Sequence, residues 1–241
     1  MPDGPRLSGI ILAGGTSARL GRPKQTLELW GKPVLQHVID AAAGAKLSEV
    51  IVVLGHQAAA IAGVLELPTG ARVVENPDFA AGQSTSLRAG LDACDRACRA
   101  AAVLVGDQPG LTTELIDKVI GAYLRGDAQV ARAMFEGAPG HPVIVDRALW
   151  SAWRKAAGDK GWRDLIASAP RLDVELGVPP PGDIDTPEHY EALLRTGPPG
   201  PERGALTVLP IPIPPSGPTK LFCEKTRLWE VTRPARPEET G

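Results

Sequence analysis

Three cysteines in 241 residues cannot build a disulfide framework, and so odd and sparse a count suits a reducing compartment. Cys94 and Cys98 are spaced to share one helical face, yet no third or fourth ligand lies nearby to complete a zinc site. Both read as small apolar packing residues, and Cys223 as an exposed thiol. A run of about 18 apolar residues is also missing, which removes the helical membrane span. Met1-Pro2-Asp3-Gly4-Pro5-Arg6 lacks the charged and apolar regions of a secretory signal. The expectation is a cytoplasmic protein. With 26 basic against 28 acidic residues, net charge is −2, too balanced to draw the whole chain onto nucleic acid or an anionic membrane. Any handling of a polyanion must therefore be local. Aromatic residues make up 4% of the chain, and Trp150 and Trp153, spaced i and i+3, suit helix packing before base stacking.

Neither of the two commonest phosphate loops occurs, since G-x-G-x-x-G and G-x-x-x-x-G-K-[ST] are both absent. What is present is Leu12-Ala13-Gly14-Gly15-Thr16-Ser17-Ala18-Arg19-Leu20-Gly21-Arg22-Pro23-Lys24, directly after the apolar run Gly9 to Leu12. That run is long enough for a buried strand and too short for a helix, so the loop hangs from a strand's C-terminal end. Gly14 and Gly15 remove the Cβ atoms that would hold an anion away from the backbone. Arg19 can fork two donors onto phosphate oxygens, while Lys24 is a mobile point charge. The stretch has the chemistry of a triphosphate cradle.

The rest of the chain alternates strands with helices. Pro33 opens a helix carrying Val34, Leu35, Val38 and Ile39; Val50 to Leu54 is a continuous run of the kind buried on both faces of a parallel sheet. A helix from His56 to about Leu65 and a strand over 71–75 follow. Gly82-Gln83-Ser84-Thr85-Ser86-Leu87 opens a helix expected to reach about Cys98, with Ser84 as its N-cap. Further strands are expected over 101–105, 128–135 and 140–145, with an edge strand over 172–176. Helices are expected over 112–125, in two short pieces within 146–169, and from Pro187 to about Arg195 with Thr186 as cap. Such alternation implies a three-layer α/β fold around a mostly parallel, doubly wound sheet. From Thr196 onward, ten of the 24 prolines fall in 46 residues, a density that feeds neither helix nor sheet interior. The expected division is a domain over 1–195 and a disordered or extended appendage over 196–241.

Strand 101–105 ends in Gly106-Asp107-Gln108-Pro109, and ligands of open α/β sheets bind beyond such strand ends. Asp107 is a candidate Mg²⁺ ligand, a hard oxygen suited to holding the ion against phosphate. Two carboxylates, Asp183 and Asp185, precede the Thr186 cap, where helix-terminus electrostatics needs only one. His141, in Gly140-His141-Pro142-Val143, could bind an anionic acceptor, though a lone histidine in a turn is as readily structural.

The loop matches at Leu12, Ala13, Gly14, Gly15, Ser17, Arg19, Gly21 and Lys24 the signature L-A-[GA]-G-x-S-x-R-x-G-x-x-K, and so resembles the MobA-like nucleotidyltransferases. G-x-S-x-S-L at Gly82 to Leu87, G-D-x-P at Gly106 to Pro109, G-x-P-V at Gly140 to Val143 and D-I-D-T-P at Asp183 to Pro187 resemble the same family. The resemblance covers residues 8 to about 195 and implies a Rossmann-like fold of the nucleotide-diphospho-sugar-transferase kind. It implies that Leu12, Ala13, Gly14, Gly15, Arg19, Lys24, Gly82, Ser84 and Ser86 bind nucleotide and that Asp185 joins Asp107 around one Mg²⁺, with Asp183 bracing the turn. Catalysis then falls to Lys24, Arg19 and Asp107, in an in-line attack of an acceptor phosphate on the α-phosphorus of a nucleoside triphosphate. The implied acceptor is molybdenum cofactor (molybdopterin), and a molybdenum hydroxylase is an implied client. Sugar-phosphate transfer and a non-catalytic delivery protein remain alternatives. On the nucleotide, Gly14 resembles the guanylyl branch while Gly82 to Leu87, Gly106 to Pro109 and Asp183 to Pro187 resemble the cytidylyl branch, so CTP is expected ahead of GTP. Gly14→Ala is expected to sharpen that preference by excluding the purine.

Overall fold

The computed structural model describes residues 5–155, 164 and 166–198. In chain order the strands and helices are β1 (Leu7–Ala13), β2 (Glu28–Leu29), β3 (Lys32–Pro33), α1 (Val34–Gly44), β4 (Glu49–Leu54), α2 (Ala58–Ala62), β5 (Ala71–Glu75) and α3 (Gln83–Ala93). They continue with β6 (Ala100–Val105), α4 (Thr113–Arg125), β7 (Val130–Phe135), β8 (Ala138–Asp146), α5 (Trp150–Lys155), β9 (Arg171–Glu175) and α6 (Pro187–Thr196).

β1 is buried along its whole length. An apolar strand without a wet face belongs inside a covered parallel sheet, and β1 pairs in parallel with β4 on one side and β6 on the other. The sheet runs β5-β4-β1-β6-β8-β7-β9, with β8 antiparallel to both its neighbours. Ile11, Val52 and Leu104 point to one face, where they pack with Leu35, Val38 and Ile39 of α1 and Ile116, Val119 and Ile120 of α4. Ile10, Ile51, Val53 and Val103 point to the other, against Leu87 and Leu91 of α3 and Trp150 and Trp153 of α5. These are the three expected layers. The chain winds outward from β1 through β4 to β5, then returns to β6 on β1's other side. A crevice therefore opens beyond the carboxyl ends of β1 and β6, where the winding reverses. The glycine loop and Asp107 both leave the sheet there.

Most expected elements form within a residue or two, with three corrections. Gln57 takes a left-handed backbone, φ 54°, so the helix expected from His56 to Leu65 shrinks to Ala58–Ala62. α3 ends at Ala93 because the Asp95 carboxylate accepts from the Ala97 amide at 2.8 Å, a side-chain turn that diverts the backbone. Cys94 and Cys98 consequently do not share a helical face, although both are buried. Burial pushes the Cys94 thiol up to about 12, leaving it protonated and inert. Ser84 is no cap: the N-cap position belongs to Gly82, whose φ of +112° suits glycine, and Ser84 is buried inside the first turn. The Thr186 cap forms as expected, accepting from the His189 amide. Cys223, the proline-rich stretch 199–241 and much of the second short helix expected within 146–169 lie outside the described residues. Among the described residues, no helix is long and apolar enough to cross a membrane.

Candidate active site

The loop after β1 is held by a residue the sequence did not single out. Gln25 is buried, and its Nε2 donates to the carbonyls of Ala13 at 2.8 Å and Gly15 at 3.2 Å. Ser17, in a left-handed backbone, accepts from the Lys24 amide through its Oγ at 3.0 Å, closing the loop on itself. A Cβ on Gly14 would fall 2.9 Å from Ser86 Oγ, and one on Gly55 would fall 2.4 Å from Phe79 Cβ and 2.8 Å from the Gly14 carbonyl. A Cβ on Gly15 would meet nothing within 4 Å. Gly14 and Gly55 thus let the loop lie flat against the start of α3, while Gly15 faces open space. Ser86 is itself fixed, accepting from Asn76 Nδ2 at 3.0 Å.

Lys24 reaches from this loop to the end of β6. Its Nζ donates to Asp107 Oδ2 at 2.6 Å and to Asp185 Oδ1 at 3.2 Å. Arg19, largely exposed, approaches Asp185 Oδ2 at 3.8 Å. Burial works to lower the Lys24 pKa, but Asp107 and then Asp185 outweigh it and hold the ammonium above its ordinary value. Lys24 therefore stays cationic at neutral pH. Asp185 is brought there by tethers on the preceding residues. The Ile184 amide donates to the Asp107 carbonyl at 3.1 Å, Gln108 Nε2 donates to Asp183 Oδ1 at 2.7 Å, and the Ile184 side chain is buried with Leu27, Leu29 and Val34. Asp183 is thus the brace it was expected to be.

Two carboxylates from separate loops converging on one cation is the arrangement a shared metal requires. The lysine nitrogen stands in for such a cation, and the donor set is hard oxygen, which fits Mg²⁺ or Mn²⁺. Among the described residues, no group of three or more His, Cys, Asp or Glu could hold a metal by itself. A divalent ion held here would need further oxygens from its substrate, the usual situation for Mg²⁺ with nucleotides.

Two cavities flank Asp107. The smaller, about 250 Å³, is lined by Leu12, Ala13, Gly14, Gly15, Lys24 and Ser86 among others; the larger, about 510 Å³, extends over Gln108, Arg132, His141 and Asp183. Gln83, Val105 and Asp107 belong to both. Asp107 and the first residue of α3 thus stand where the two meet. His141 lines the larger cavity, its Nδ1 3.1 Å from the Val103 carbonyl. Since a carbonyl only accepts, that nitrogen carries the proton. Gly82 and Ser84 shape the start of α3 without lining either cavity. Gln25, Gly55 and Asn76 were missed because they hold the loop from behind. Their only sequence signal was a buried amide or glycine beside a motif.

Residues 9–174 match the MobA-like NTP transferase domain. A probable molybdenum cofactor guanylyltransferase of Mycobacterium marinum is 34% identical over 202 residues, covering 81% of this chain and 96% of its own. The molybdenum cofactor cytidylyltransferase of Escherichia coli is 26% identical over 182 residues, covering 75% and 92%. Nicotine blue oxidoreductase of Paenarthrobacter nicotinovorans is 30% identical over 206 residues, covering 80% and 98%. Among solved structures, Rv0371c of Mycobacterium tuberculosis superposes with a TM-score of 0.71 at 29% identity, covering 79% of this chain and 98% of that one; a manganese complex of the same protein gives 0.67. With its cradle, its fold and the match over most of the domain in agreement, the chain belongs to the MobA-like NTP transferase family.

Proposed function

We propose that this protein transfers a nucleoside monophosphate from a triphosphate, with CTP preferred, to the phosphate of molybdenum cofactor, releasing pyrophosphate. The observation that carries the reading is the convergence of Asp107 and Asp185 on one cation at the meeting of two cavities. The smaller cavity takes the triphosphate: backbone at Gly14 and Gly15 and the start of α3 face its phosphates. The larger takes the acceptor, whose phosphate is the nucleophile. Because a phosphate is already ionised, no general base is needed, and positioning and charge neutralisation supply the catalysis. Lys24 follows the developing charge on the α-phosphate, and Arg19 steadies the pyrophosphate. Asp107 and Asp185 would hold Mg²⁺, which when bound supplies Lewis-acid polarisation of the phosphate oxygens. The modified cofactor would then pass to a molybdenum hydroxylase. Purified protein with Mg²⁺, each triphosphate in turn and molybdenum cofactor should release pyrophosphate only when the acceptor is present. Pyrophosphate from sugar 1-phosphates but not from molybdenum cofactor would assign the acceptor elsewhere.

The oxidoreductase relative raises a second reading, in which the crevice holds a reduced dinucleotide. The carboxylate pair favours transfer, because a hydride needs no shared cation beside the phosphates. Acceptor-dependent oxidation of NADH or NADPH, without pyrophosphate, would support the oxidoreductase.

The Gly14 geometry changes the expectation for Gly14→Ala. Its methyl group meets the fixed Ser86 hydroxyl before it can narrow a base pocket. The variant should lose about tenfold in kcat/KM with CTP and GTP alike, the effect of a misplaced loop. Gly14→Ala with Ser86→Ala should recover much of this, whereas selective loss of GTP use would show that the base lies against Gly14.

Residues 1–197 should suffice for this activity, since every candidate site residue among the described ones lies at or before Asp185. A chain ended after Gly197 should match the full chain in melting temperature and rate. Loss of solubility would show that Leu206 to Ile213 cover apolar surface.

A further inference from the structure

We propose that Arg132 is the distal anchor of the acceptor, binding an anionic or carbonyl group at the end opposite its reacting phosphate. The inference rests on the nucleotidyl-transfer reading and narrows the acceptor class. Arg132 sits on β7, an interior strand, between the fully buried Ala131 and Ala133. A guanidinium in such a place needs a partner. It has one in Asp173, its cross-strand neighbour on β9, through Nε to Oδ1 at 3.1 Å and Nη2 to Oδ2 at 3.0 Å. Arg171 Nε grips the same carboxylate at 2.9 Å, so Asp173 is fixed from two sides. A guanidinium carries five N–H donors, and the fork occupies one on Nε and one on Nη2. The remainder serve a ligand in the larger cavity, whose wall Arg132 forms with His141 and Val143. Val143 is the cross-strand neighbour of Arg132 on β8, and His141 lies two residues earlier on that strand, so all three share a face.

The placement sets a length. β7 lies two ladder spacings from β6, about 10 Å across the sheet from the strand that delivers Asp107. A phosphomonoester acceptor that touches both must span about that distance. The acceptor class is thus a phosphomonoester whose far end presents an anionic or carbonyl group to the guanidinium.

Arg132→Met and Arg132→Lys would be measured with purified molybdenum cofactor as the long acceptor and phenyl phosphate as a truncated one, beside melting temperatures. Arg132→Met should raise the KM for molybdenum cofactor about ten- to a hundredfold, the range for a lost hydrogen bond to a charged group. Its kcat, its KM for the triphosphate and its rate with phenyl phosphate should stay near those of the parent. Arg132→Lys, keeping the charge without the fork, should fall between. An unchanged KM for molybdenum cofactor in both variants would overturn the proposal, as would equal losses with the two acceptors, the mark of a strap holding β7 to β9. If the parent transfers to neither acceptor, the transfer reading fails, and calorimetric titration with molybdenum cofactor still decides the anchor. Weaker binding to Arg132→Met than to the parent upholds it, and equal binding overturns it.

Discussion

Asp107→Asn should fold as the parent does and lose about a hundred- to a thousandfold in transfer rate, the scale seen when one preorganised electrostatic group is removed from a site. The substitution keeps the side chain's size and takes away one negative charge from the point where the two cavities meet. The backbone there is held independently of that charge: the Gly106 amide donates to the Leu12 carbonyl at 2.9 Å, and the Asp107 carbonyl accepts from Ile184. Melting temperature should therefore hardly move while single-turnover rates collapse. Turnover near the parent's in saturating Mg²⁺ would remove Asp107 from the mechanism.

Lys24→Met should be comparably slow, and it should also report on stability in a way that Asp107→Asn does not. In the parent the ammonium separates two carboxylates. Without it they face one another, so the variant should melt lower at neutral pH, and Mg²⁺ should raise its melting temperature more than it raises the parent's. The pH dependence follows from the raised Lys24 pKa. A group whose folded pKa lies above its unfolded value of 10.5 adds stability that is full below that value and disappears as pH climbs through the folded one. The parent should lose this increment in the alkaline range above pH 10.5, and Lys24→Met should lack that step. A variant that melts like the parent, with no differential response to Mg²⁺, would show that the carboxylates do not share a cation.

Much of this was legible because the informative residues are short-range. β1 and β6 declare themselves as apolar runs, and the loops beginning at Gly14 and Asp107 follow at once, so topology alone carries both to one crevice. Asp185 was legible through resemblance more than through the surplus carboxylate before the Thr186 cap. Its approach to Lys24 depends on Ile184 being buried against Leu27, Leu29 and Val34, a contact spanning some 150 residues that no local pattern encodes. Ser84 misled because a serine before a helical run is a good cap signal, whereas the turn at Gly82 starts the helix two residues earlier than that signal implies. Arg132 falls inside the strand expected over 128–135, where nothing in the local pattern singles it out. Only the register of β7 against β9 reveals the carboxylate that holds it at the cavity wall.

The fate of the α-phosphorus decides most directly whether nucleotidyl transfer takes place. With CTP labelled at that atom, Mg²⁺ and molybdenum cofactor, the label should appear on the acceptor with one pyrophosphate released per labelled product, and Asp107→Asn should slow both about a hundred- to a thousandfold. Label that stays in CTP, or emerges as free CMP whether or not the acceptor is present, would contradict it.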